Sequence, residues 1–147
     1  MTDHRQLGVD AFNHVWGLLE KPDRTREDDD EMLHEAHAST YHWLRAPECR
    51  PQNRARGEWI CSRVYTVLWR GEPALHHARR CLELCEAHGI GDWDLAFAHE
   101  ALARAYGIAR QFEEAGRHEA LARELGAEIT DEQDREHLFE ALESLPR

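Results

Sequence analysis

The sequence predicts an all-α fold, built as a stack of antiparallel helix pairs, and two observations carry that prediction. Apolar residues recur at helical spacing almost end to end, with proline and glycine falling at intervals that suit helix ends. The chain also repeats itself: Cys61-Ser62-Arg63-Val64-Tyr65 aligns with Leu102-Ala103-Arg104-Ala105-Tyr106 at an offset of 41 residues. At the same offset Ala74 meets Ala115, Cys81 meets Ala122 and Leu84 meets Leu125. A fixed period in this range marks stacked supersecondary units, none of which can bury its apolar face alone.

The elements follow in order. A first helix is expected over residues 5–20, with Leu7, Ala11, Val15 and Leu18 on one face, Phe12, Trp16 and Leu19 beside it, and Lys21-Pro22-Asp23 as its stop. The acidic run Glu27 to Glu31 opens a second helix reaching about Arg45, because negative charge in a first turn complements the backbone dipole. Pro47 and Pro51 bracket a loop before a third helix over 53–70. Gly71-Glu72-Pro73 makes the next turn, and the proline suits the first turn of a fourth helix over 73–88. Gly89-Ile90-Gly91 ends that helix. A fifth helix runs from Asp92 to Ala109 and a sixth from Phe112 to Leu125. Thr130-Asp131-Glu132-Gln133 has the form of a capping box and opens a last helix over 131–144. The expectation is seven helices and no strand in one domain, 1–147, divided as 5–45, 53–88, 92–125 and a cap at 131–144.

The repeated stretches resemble the tetratricopeptide repeat, whose first helix carries a large apolar residue, a small one, and an aromatic three further on. Here those are Cys61, Ser62 and Tyr65, then Leu102, Ala103 and Tyr106. Its second helix carries small residues seven apart, matched by Ala74 and Cys81, then Ala115 and Ala122. The period here exceeds the family's usual length of about 34 residues. The family's glycine and proline punctuation is absent or displaced, and residues 5–45 form an irregular first pair. The resemblance implies a right-handed stack ending in a capping helix, with a concave groove lined by the first helix of each pair. It also implies a protein- or peptide-binding role.

Carried onto this chain, the groove positions are Arg56, Trp59, Arg63, Thr66 and Arg70 in one repeat and Phe97, Glu100, Arg104 and Ile108 in the next. Spacing alone adds that Arg56, Arg63 and Arg70 recur every seven residues, a drift of only about 20° per step. Guanidinium forks pair with carboxylates, and an indole offers a rigid apolar platform beside them. The expected ligand is an acidic or carboxyl-terminal peptide segment gripped by Arg56, Arg63 and Arg104, with Trp59 and Tyr65 shaping the floor. The competing reading pairs these arginines with Glu58, Glu100 or the acidic first pair, where they would only glue the stack.

Charge narrows the choice of partner. A net charge of −11 argues against nonspecific nucleic-acid binding, which depends on neutralising phosphates. The charge is uneven: residues 51–80 hold six arginines against two glutamates, whereas residues 81–147 hold sixteen acids against six arginines. No apolar run is long enough for a membrane span and no leader pattern is present, so a cytoplasmic protein with no membrane partner is expected. The cysteines Cys49, Cys61, Cys81 and Cys85 form no CxxC pair, and reduced thiols are expected.

Eleven histidines raise a metal or small-molecule site as the alternative, with His34, His37 and His42 as ligands and Glu35 and His14 nearby. Satisfied or exposed histidines are the simpler expectation. His77, Cys81, Cys85 and His88 spread too far along one helix to share an ion, so Cys81 reads as core. The segment His37 to Trp43 offers a polar, aromatic cluster for a small ligand. Its competing reading has Ala36, Thr40 and Leu44 facing the core, with Tyr41 and Trp43 at the edge. Without a GxSxG or HExxH motif, a binding module needing no cofactor is expected rather than an enzyme. A third reading gives Trp16, Trp43 or Trp93 to a homodimer contact.

Overall fold

The computed structural model describes all residues from Met1 to Arg147 and contains seven α-helices and no strand. They are α1 (His4–Glu20), α2 (Arg26–Arg45), α3 (Pro51–Val67), α4 (Gly71–Ala87), α5 (Asp92–Ile108), α6 (Phe112–Gly126) and α7 (Glu132–Glu143). No helix is long and apolar enough to cross a membrane.

Side-chain caps set three of the starts. Asp3 accepts from the Gln6 N–H at 3.0 Å. Thr25 and Asp28 form a reciprocal capping box at α2, with bonds of 3.1 and 3.0 Å, ahead of the acidic turn. At α7 the cap is Asp131, which accepts from the Asp134 N–H at 2.9 Å, and not Thr130 as expected.

Helix α3 also departs from expectation, beginning at Pro51 and ending at Val67 rather than 70. Its end is a Schellman turn: Trp69 adopts φ 58°, and the Arg70 N–H donates back to the Tyr65 carbonyl at 2.8 Å. Arg110 repeats this turn 41 residues later with φ 62°, and the Gln111 N–H donates to the Tyr106 carbonyl at 2.9 Å. The period read in the sequence is therefore a period in backbone geometry.

Three hairpins, α1/α2, α3/α4 and α5/α6, stack so that the second helix of each of the first two packs on the first helix of the next. The odd-numbered helices touch in series, α1 to α3, α3 to α5 and α5 to α7, whereas the backbones of α2, α4 and α6 stay apart, α2 and α4 meeting through the His37 and His77 rings at 5.4 Å. Contact on one side and separation on the other curves the stack, with the odd-numbered helices on its inner face. Four apolar clusters fill the layers, and Trp59 packs against every one of them.

Burial corrects some sequence expectations. In α1 the buried face is Gly8, Val15 and Leu18, while Leu7 is exposed. A methyl group added at Gly8 would meet the Trp43 ring at 2.9 Å, so the indole lies directly over that glycine. In α2, Ser39 is buried and donates to the Gly8 carbonyl at 2.7 Å, whereas Leu44 is exposed. Trp16, Trp43 and Trp93 are all partly buried, and the exposed aromatics are Tyr41, Trp69 and Phe112. Cys61, Cys81 and Cys85 are core residues, and burial pushes the Cys61 thiol up to about 12.

The repeat extends to side-chain geometry. Tyr65 stacks on His77 with ring centroids 5.6 Å apart, and Tyr106 stacks on His118 at 5.6 Å. Glu58 holds His77 at 2.6 Å, and at the equivalent place His99 holds His118 at 3.0 Å. One copy of the motif thus has a carboxylate where the other has a second imidazole.

That exchange has a pH consequence. Burial, then His99, then Arg117 push the His118 ring down to about 4, and burial is the main cause of a downward shift in His99. As the pH falls below about 6.5 the unfolded chain takes up protons at these positions that the folded chain refuses. Stability present above that pH is therefore lost on the way down towards 4. Between about pH 7.5 and pH 5 the urea midpoint should fall, with a loss on the order of 2 kcal/mol. His99→Glu, which restores the carboxylate of the other repeat, should shrink that loss. An equal loss in the variant would show that the acid sensitivity lies elsewhere.

Candidate functional site

The inner face carries two adjoining recesses, one aromatic and one basic. The aromatic recess has a volume of about 390 Å³. Helix α1 contributes Phe12 and Trp16, and α3 contributes Arg56 and Trp59. Trp93, Asp94 and Phe97 come from α5, and Asp134 and His137 from α7. Cys81 and Ala55 complete the wall. Its rings form a continuous series: Trp16 stacks on Trp59 at 5.8 Å, Trp59 meets Phe97 edge-on at 5.9 Å, and Phe97 meets Trp93 at 6.2 Å.

Charge in this recess is partly cancelled. The Arg56 guanidinium sits 4.4 Å above the Trp93 ring and donates two bonds of 3.0 Å to the Asp94 carboxylate. Asp134 enters no ion pair within 4.0 Å. The Trp59 indole N–H is buried and has no hydrogen-bond partner.

The basic recess, about 250 Å³, is lined by Arg63, Thr66 and Val67 of α3, Arg104 and Ile108 of α5, and Trp69, Ser144 and Pro146. Beneath it lies Glu100, which is 1% exposed. Arg104 holds the Glu100 carboxylate at 2.9 Å, and Arg63 stands 3.8 Å from the same oxygen. Arg104 also donates to the Ala141 carbonyl at 2.8 Å, the Ser144 carbonyl at 3.2 Å and the Ser144 hydroxyl at 3.0 Å. Two guanidiniums thus face one carboxylate. Burial, and then the like charge of Arg104, lower the Arg63 pKa, with Glu100 pulling the other way.

Of the groove residues expected from sequence, Arg56, Trp59 and Phe97 line the aromatic recess. Arg63, Thr66 and Arg104 line the basic one, with Glu100 under it. Arg70 does not complete the arginine stripe: α3 has ended, and Arg70 is the exposed residue preceding α4. Tyr65 faces away from both recesses, donating or accepting at 2.9 Å with His37 and stacking on His77. Phe12, Trp16, Trp93, Asp94, Asp134 and His137 were not expected in the groove. Phe12 and Trp16 share a helix face, but only an alignment of the first helix pair could have placed that face here.

His34, His37 and His42 do not converge on one ligand position. His37 contacts Tyr65 and the Cys61 thiol at 3.8 Å, His42 pairs with His4 at 2.9 Å, and His34 is exposed. A different trio, His14, Glu31 and Glu35, brings its ligand atoms within 4.8 Å of one another on the surface of α1 and α2.

No family model, curated protein or solved structure matches the chain.

Proposed function

We propose that the chain is a tetratricopeptide-like binding module that takes an extended peptide segment along the inner face of α1, α3, α5 and α7. A carboxylate of the segment, from an acidic side chain or the carboxyl terminus, sits against Arg63 in the basic recess. The observation that carries this reading is the surplus of one guanidinium: Arg63 and Arg104 share the single buried Glu100 carboxylate beside an open cavity. An anion there completes the charge balance, and a guanidinium fork suits a carboxylate in geometry. Trp69, 73% exposed at the rim, offers an indole face to the same segment.

Arg63 is the residue to test, because Arg104 is committed to holding α7. In a screen of peptides with free or amidated carboxyl termini, the wild type should enrich those carrying a free terminus or acidic residues. Arg63→Met keeps the aliphatic stem and should weaken those peptides about tenfold or more, the scale of one hydrogen bond to a charged group. Affinity should also fall with added salt. Indifference to both amidation and Arg63→Met would reject the reading.

A further inference from the structure

The aromatic recess presents rings and a free carboxylate, which calls for a cation rather than an anion. Three observations agree. The recess already holds one cation on an indole face: Arg56 lies 4.4 Å over Trp93 and is neutralised there by Asp94. The second carboxylate in the wall, Asp134, has no basic partner. The half of the chain that supplies α5 and α7 is strongly acidic, with sixteen acids against six arginines over residues 81–147, so the surrounding field draws positive charge inward.

We propose that this recess binds an alkylated ammonium group, the head of an N-methylated lysine side chain on the peptide segment of the preceding section. This inference deepens that reading and rests on its groove. The electron-rich faces of Trp16, Trp59 and Phe97 attract a cation placed over them, and Asp134 supplies the opposite charge. Alkylation follows from the poverty of acceptors. A bare ammonium carries three N–H donors and a guanidinium five; the Asp134 carboxylate can accept some of them, and ring faces cannot satisfy the rest. A quaternary head has none to leave unpaired. Its apolar methyl groups also fit a wall in which seven of eleven residues are hydrophobic.

The two recesses fix the spacing between ligand groups. Arg56 and Arg63 are seven residues apart on α3, which is about 10 Å along the helix axis. An extended peptide covers that distance in about three residues. The ligand therefore carries its alkylated ammonium about three positions from a carboxylate, and before it where that carboxylate is the chain terminus.

Calorimetric titration of the full chain with choline tests the cation site alone. The comparison ligand is the uncharged carbon analogue, in which a tert-butyl group replaces trimethylammonium. Choline should bind about tenfold more tightly than the analogue. Asp134→Asn should weaken choline several-fold and leave the analogue unchanged. Asp131, not Asp134, caps α7, so this variant loses only Asp134's favourable charge in the first turn and its melting temperature should fall by no more than a few degrees. Equal affinity for the two ligands, absence of choline binding, or indifference to Asp134→Asn would each overturn the proposal.

A tetrapeptide with trimethyl-lysine first and a free carboxyl terminus separates the two readings. Affinity above that of choline, lost on amidation and in Arg63→Met, supports both. Choline binding without any gain from the peptide leaves the ammonium site standing and overturns the peptide groove. An amidation-sensitive peptide that binds equally well with unmodified lysine overturns the ammonium site and leaves the groove.

Discussion

Replacing Arg104 with alanine should cost about 3–5 kcal/mol, the range for breaking a buried ion pair. The loss has two sources. Glu100, 1% exposed, would keep only Arg63 at 3.8 Å to balance its charge. Three bonds to the last turn of α7 and the residue after it would vanish as well, those to the Ala141 and Ser144 carbonyls and to the Ser144 hydroxyl. Urea denaturation measures the total, and hydrogen exchange in residues 132–143 locates it. Exchange there should accelerate more than in α1 or α2. Replacing both members, Arg104→Met with Glu100→Leu, should restore part of the stability, since no buried carboxylate is then left short of a partner and Arg63, its side chain 26% exposed, can turn to solvent. A cost under about 1 kcal/mol for Arg104→Ala would mean that this pair does not anchor the helix.

Trp59→Ala should be as damaging, at about 3–5 kcal/mol, because the indole is the one side chain packed against all four apolar clusters. Truncation would open a void shared by every layer and remove the ring partners of Trp16 and Phe97. Trp59→Phe separates packing from polarity. The indole N–H has no partner, so the smaller ring forfeits no hydrogen bond and should cost well under half as much. Denaturation midpoints of the two variants give the comparison. A phenylalanine as costly as the alanine would show that the indole N–H is bonded in solution.

The architecture was legible because it depends on apolar spacing, which a chain shows openly. Cys61, Cys81, Leu102 and Ala122, chosen as repeat positions, are all at most 2% exposed. Helix ends were harder to read. Positive-φ turns are usually marked by glycine, as at Gly89, but here Trp69 and Arg110 occupy the equivalent places. That concealment carried the expected α3 three residues too far and put Arg70 on a stripe it does not join.

The groove was half legible. Its α3 and α5 residues follow from the repeat, whereas Phe12, Trp16, Asp134 and His137 belong to helices outside the two matched repeats. Whether an arginine reaches solvent or a buried carboxylate depends on tertiary distance, so Arg63 and Arg104 looked equivalent in sequence. The structure separates them: the Arg63 side chain is 26% exposed and that of Arg104 is 9%.

The serial contact of α1, α3, α5 and α7 also bears on how the protein comes into being. Each helix touches only elements next to it or next but one along the chain. Loop closure is therefore brief, and such low-contact-order chains fold quickly. During synthesis the first hairpin can assemble before the last has been made. The aromatic recess cannot, because its wall draws on α1 and α7 alike. It is completed only when the final helix docks, so a nascent chain can own most of its core and still have no pocket.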